Sequence, residues 1–282
     1  MTVTKKIINF ETYDSLLEEG IDRSFDWQQI SVFDGAEPSI VLGEAMGQAA
    51  SHILQNTDRH FAQELNSSAI MLTDQLAFEK YPLSIILSPG VDPVSNEPKL
   101  QILSKNFNSA GQKSEVLTSI SEALDNLAVQ SSLKGDILVI ADELITNAIY
   151  NAPFVDLENC LPGAPRDNRN IKTPEAKAAT LLMGRDSNRI VIGCKDQYGS
   201  LNFQKFLTRV KNCYDAGVAA TMRMDGAGGA GIGSFMIFNT AMSFYVDIKK
   251  GVHTSVFCVL PLGMSNRQRS AMPKNLHFRF SK

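Results

Sequence analysis

Residues 226–235, GAGGAGIGSF, constrain the chain more than any other stretch. Glycine at this density disfavours helix and strand interiors, because ordering a glycine costs more backbone entropy than ordering any other residue. Gly226, Gly228 and Gly231 satisfy G-x-G-x-x-G, the dinucleotide fingerprint. Asp247 stands about twenty residues on, where a ribose-binding carboxylate would be wanted. The context removes that reading. The preceding GVAATMRMD lacks the apolar density of a central parallel strand. Only about fifty residues follow, too few for the strands and crossover helices such a fold still needs. What survives is a glycine-rich loop opening into a helix, FMIFNTAMS, whose free N–H groups and positive dipole end suit a phosphate chain.

The chain of 282 residues is long enough for two modest domains, and 44% hydrophobic with 20% charged residues is an ordinary globular balance. A formal charge of −3 gives no general reason to expect nucleic acid or an anionic membrane as partner. The N-terminus has no apolar core for a signal peptide, and no run is long enough to cross a bilayer. Cys160, Cys194, Cys213 and Cys258 are scattered, which implies buried free thiols rather than zinc ligands. A cytoplasmic protein is the expectation.

KKIINF, QQISVF, SSAIML and LSIILS fit strands, with a long helix from about Ser39 to Gln63 between the second and third. PGVDPVSNEP, at 89–98, is the best linker candidate. LQILSKNF (100–107) fits a strand. A helix from Ser114 places Leu117, Ile120, Leu124 and Leu127 on one stripe, and a second from Leu133 places Ile137, Ile140, Ala141, Leu144 and Ala148 on another, ending by Pro153. A polar excursion spans 154–175. ATLLMGR and NRIVIGCKD read as a hairpin turning at Asp186-Ser187. NFQKFLTRVKNCYDAG fits a helix, and FYVDIKKGVHTSVFCVLPL a closing pair of strands. The basic tail, 265–282, reads as a solvated extension or, secondarily, a docking segment.

In ADELITNAIYNAPF, Glu143, Asn147 and Asn151 stand at i, i+4 and i+8, one polar column flanking the apolar stripe. An amide oxygen there can ligate Mg²⁺, and a carboxylate one turn away can polarise a hydroxyl beside a metal-bound phosphate. The same spacing also fits a plain exposed helix edge. IVIGCKDQYGSL runs a buried-type strand into Asp196 and a turn at Gly199. The aspartate can accept from the exocyclic amine of adenine, and the glycine lets backbone approach the base. D-x-x-G at a strand end is also a common turn.

ELITNA, DQYG, GGAGIG and the late T-S-V-F, in this order, resemble the boxes of the GHKL (Bergerat-fold) ATPases over roughly residues 99–264, most closely the anti-sigma-factor serine kinase branch. The resemblance implies an α/β fold of the α+β two-layer sandwich kind, a mixed sheet with helices on one face. It implies ATP and Mg²⁺ as ligands, Asn147 as the metal ligand and Glu143 as general base. Asp196 would contact adenine with Gly199 shaping the pocket, Gly229, Gly231 and Gly233 would line the phosphates, and Thr254 would support the adenine. Asn151 continues the column toward the nucleotide, and residues 200–230 would form a lid. Residues 1–98 would be a smaller α/β region, a degenerate receiver or a partner-binding module.

There are departures from that pattern. The usual D-x-G-x-G is D-Q-Y-G-S here, and Tyr150 and Asn151 stand where many relatives carry a basic residue or histidine. His253 replaces the usual glycine before Thr254, and Arg223, Lys211 and Lys205 are the nearest cations to the glycine stretch. Neither His52 nor His60 is followed by the acidic residue of a phosphoacceptor box. The leading expectation is a serine kinase and partner-switching regulator with a protein antagonist as partner. The alternatives are a nucleotide-sensing or nucleotide-free binding module, and an incomplete histidine kinase with a separate phosphoacceptor. A homodimer is left open.

Overall fold

The computed structural model describes residues 74–153, 170–202, 240–271 and 275–281, with positions 64, 67, 70, 71 and 237 besides. Their centre is strand β3 (Arg189–Asp196), in which seven of eight residues are buried. Alternate side chains of a strand point to opposite faces, so such burial requires cover on both sides. The six-stranded sheet runs β1-β2-β3-β5-β4-β6, built from β1 (Gln101–Phe107), β2 (Ala179–Arg185), β4 (Ser243–Lys249), β5 (His253–Pro261) and β6 (Asn275–Ser281). All neighbours are antiparallel except β4 and β6, which are parallel, so the sheet is mixed and the class is α+β.

Short helices α1 (Gln75–Lys80), α2 (Pro82–Leu87) and α3 (Pro93–Leu100) precede the sheet, while α4 (Lys113–Asn126) and α5 (Ser131–Thr146) follow β1. The first face, with Leu181, Ile190, Ile192, Val246 and Leu260, packs on α4 and α5. Both helices follow their predicted periodicity. Ile120 and Leu124 are fully buried, Leu117 packs at the edge of the core, and the whole α5 stripe from Ile137 to Ala148 is buried. The hairpin at Asp186 forms as expected, with the Asp186 carboxylate accepting from the Asn188 and Arg189 amides.

The second face, with Val191, Tyr245, Phe257 and Val259, packs on Met71, Phe78, Leu83, Ile86 and Leu87. Here the structure departs from the sequence expectations. LSIILS is helical rather than a strand, and Ser67, Ile70 and Met71 of SSAIML are helical as well. A continuous apolar run fits a buried helix as well as a buried strand, and Pro82 at the first helical position marks the start. The expected linker is α3, opened by Pro93 and by Asp92 accepting from the Val94 and Ser95 amides, and it leads straight into β1.

Helix α2 is enclosed, so its unpaired ends need partners inside the protein. Glu97 accepts from the Leu83 and Ser84 amides at one end. At the other, Arg189 donates to the Leu87 carbonyl at 2.7 Å, to the Ile86 carbonyl at 3.4 Å and to Asp186. The carboxylate meets the positive end of the helix dipole and the guanidinium the negative end. The tail is not a solvated extension throughout. Helix α6 (Asn266–Ala271) is followed by β6, which puts His277 and Arg279 in the interior. The KKIINF and QQISVF strands, the helix at 39–63 and the helix expected after Leu201 lie outside the described residues.

Arg189→Met should lower stability by about 3 kcal/mol, since it leaves the buried Leu87 carbonyl without its donor and takes the guanidinium from Asp186 Oδ2, read as a lower urea midpoint at unchanged m-value. A loss below about 1 kcal/mol would show that the α2 end is satisfied in some other way.

Candidate functional site

Asp196 is the last residue of β3 and lies on the sheet face that carries α4 and α5, in phase with Ile190, Ile192 and Cys194. It pairs across the ladder with Thr254 of β5. Burial pushes the Asp196 carboxyl up to about 6, against hydrogen bonds from the Tyr198 and Gly199 amides that favour the ionised form. Thr254 also opposes the rise, yet its buried hydroxyl is left without a well-formed hydrogen bond. A carboxyl raised this far by burial, at a strand end, marks a candidate functional position.

Gly199 makes the turn after Asp196 with φ +59°, and a Cβ there would stand 2.0 Å from the Lys249 carbonyl oxygen. Only glycine fits so tight an approach. Tyr198 lies under the Lys177 ammonium, 5.3 Å from the ring centre, and Lys177 also donates to the Gln197 carbonyl.

The column Glu143, Asn147 and Asn151 is half-buried at the end of α5. There the helix widens into a π turn, Asn147–Asn151, in which the Ala152 amide donates to the Asn147 carbonyl five residues back. Such turns recur at functional sites. The Asn151 side-chain amide donates to Asn147 Oδ1 at 2.6 Å, which uses one of that oxygen's two lone pairs and leaves one. Ser200, just past the Gly199 turn, donates to the Ala152 carbonyl at 2.8 Å and ties the Asp196 turn to the end of the column. Lys113 reaches Thr146 and Asp142, both at 2.8 Å, and is a cation near the column that the sequence did not single out. Gly229, Gly231 and Gly233, with the rest of the glycine stretch, lie outside the described residues.

Asp247, set aside in the sequence as a coincidence of spacing, is fully buried on the opposite face with His253 and Arg279. The free thiols of Cys194 and Cys258 are buried and shifted upward by burial. Among the described residues, no helix is long and apolar enough to cross a membrane.

No protein-family model matches the chain, and no curated protein matches it. The chain is similar to a solved chain from the crystal structure of the SiaB-SiaC complex of Pseudomonas aeruginosa. The TM-score is 0.41 and the identity 16%, over 68% of this chain and 99% of that one.

The raised Asp196 carboxyl means that the folded chain holds a proton the unfolded chain has released between pH 3.8 and about 6. Above that window the group opposes folding. Asp196→Asn should therefore stabilise the protein by about 2 kcal/mol at pH 8, with the gain shrinking toward pH 4 in urea unfolding. Destabilisation at pH 8 would contradict the burial argument.

Proposed function

We propose that the chain binds Mg·ATP on the sheet face beside α5 and transfers the γ-phosphoryl group to a serine of a protein partner, as a partner-switching signalling regulator. The observation that carries this reading is the pairing of Asp196 with Thr254, a buried carboxyl raised by burial and a buried hydroxyl with no well-formed hydrogen bond. They stand on the face that also presents the Glu143–Asn147–Asn151 column. Asp196 would accept from the adenine amine, with the Thr254 hydroxyl completing the ring of contacts, and Gly199 would let the backbone lie close to the base.

Asn147 Oδ1, held by Asn151, would ligate Mg²⁺, which when bound neutralises phosphate charge. Glu143, one turn back, would accept the serine hydroxyl proton as the hydroxyl oxygen attacks the γ-phosphorus and the bond to the bridging oxygen breaks, releasing ADP. Gly229, Gly231 and Gly233 would offer backbone amides to the phosphates. A specific observation favours a second reading, a binding module without turnover. The Asn147 oxygen is already engaged within the chain, and DQYGS departs from the usual adenine turn.

Calorimetry with Mg·ATP and a label-transfer assay separate the two. Asn147→Ala should abolish nucleotide binding, whereas Glu143→Ala should retain affinity within about threefold and lose transfer by at least about a hundredfold. Binding without transfer in the wild type would leave the sensor reading, and no binding would leave a nucleotide-free module.

Adenine binding should also track the charge of Asp196. A donor from the base stabilises the carboxylate, so affinity should be full above about pH 6 and fall below it, at most tenfold per unit. Affinity that stays flat from pH 7.5 to 5 would remove Asp196 from the contact.

A further inference from the structure

On the sheet face opposite Asp196, the β4 and β5 strands present Asp247 and His253, and α1 lays Glu79 over them. One ligand atom from each lies within 4.8 Å of the others. His253 Nε2 stands 3.1 Å from Asp247 Oδ2 and 3.6 Å from Glu79 Oε1. Zinc with nitrogen and oxygen ligands is tetrahedral, and bonds of about 2.1 Å give ligand-to-ligand edges of about 3.4 Å. The two distances straddle that value.

From these residues we propose a zinc site formed by Glu79 Oε1, Asp247 Oδ2 and His253 Nε2, with a fourth position open to water. The alternative, a bare cluster of ion pairs, leaves the chemistry incomplete. A single imidazole nitrogen stands between two carboxylates and can serve only one of them, and Glu79 Oε1 is buried with no hydrogen bond. A cation at the centre satisfies all three atoms at once. Arg279 of β6 lies beside the set, with Nε 2.9 Å from Asp247 Oδ1. The two are held by charge without hydrogen-bond alignment, so Arg279 balances the Asp247 carboxylate from the side away from His253. The donors are one nitrogen and two oxygens with no sulfur, a set that zinc accepts. The site would staple α1 to the β4–β5 hairpin. His253 directly precedes Thr254, so the ion would also fix β5 behind the Asp196 cluster.

The test uses the full chain, stripped with chelator and titrated with zinc chloride. One ion per chain should bind, with a rise in Tm of several degrees, while Mg²⁺ and Ca²⁺ give neither. X-ray absorption of the loaded protein should show nitrogen and oxygen neighbours only. Glu79→Gln, at the least buried of the three ligands, should fold and bind zinc at least tenfold more weakly, and His253→Gln should lose more. Sulfur among the neighbours, zinc affinity unchanged in a folded Glu79→Gln, or no binding by the wild type would each overturn the site.

Discussion

Because β3 is buried on alternate sides along almost its whole length, the fold needs two covers, and everything else is arranged to supply them. One is an amphipathic pair, α4 and α5, with partly exposed outer faces. The other includes α2, an apolar six-residue helix with every residue buried. So short a helix has little stability of its own and exists because the sheet offers it a surface. Its unpaired peptide ends are met by Glu97 and Arg189, opposite charges placed to suit the helix dipole. Arg189 is the first residue of β3. The strand that demands the cover also holds its end in place.

Strand β5 divides its polar residues between the two faces by parity. Thr254 belongs to the side of Asp196 and α5, while His253 and Ser255 belong to the side of Asp247 and Arg279. Two buried polar groups thus stand back to back across one strand. They differ in character. The Asp196 side has a carboxyl raised by burial beside a widened helix end. The Asp247 side is dense in charge and closed by β6 and α1.

Amphipathic periodicity made α4, α5 and the β2–β3 hairpin legible, because each has one buried stripe or a turn aspartate that names itself. Helical spacing singled out the asparagine column, while Asp196 and Gly199 became candidates through a strand-end turn and the box resemblance. Periodicity failed where burial is complete. LSIILS has no polar side to reveal its period, so only Pro82 carried the helix signal, and Pro93 with Asp92 did so for α3. The tail misled for a different reason. His277 and Arg279 look like surface residues by type, and their burial depends on Tyr245 and Asp247, far away in sequence. Tyr245 stacks on the His277 ring at 4.1 Å between centres, and no local pattern encodes such a partner.

The π turn at Asn147–Asn151 has a consequence for how the chain tolerates changes in length. A π turn spends one more residue per revolution than an α turn, so it behaves as a one-residue insertion held inside a helix. Everything after it is rotated relative to the stripe that began at Leu133. The Ala152 carbonyl meets Ser200 only in that rotated frame. Losing a single residue here would return the helix to its ordinary winding with its core stripe intact, yet swing its end away from the Asp196 turn. At this point, spacing along the chain matters more than the identity of any one side chain.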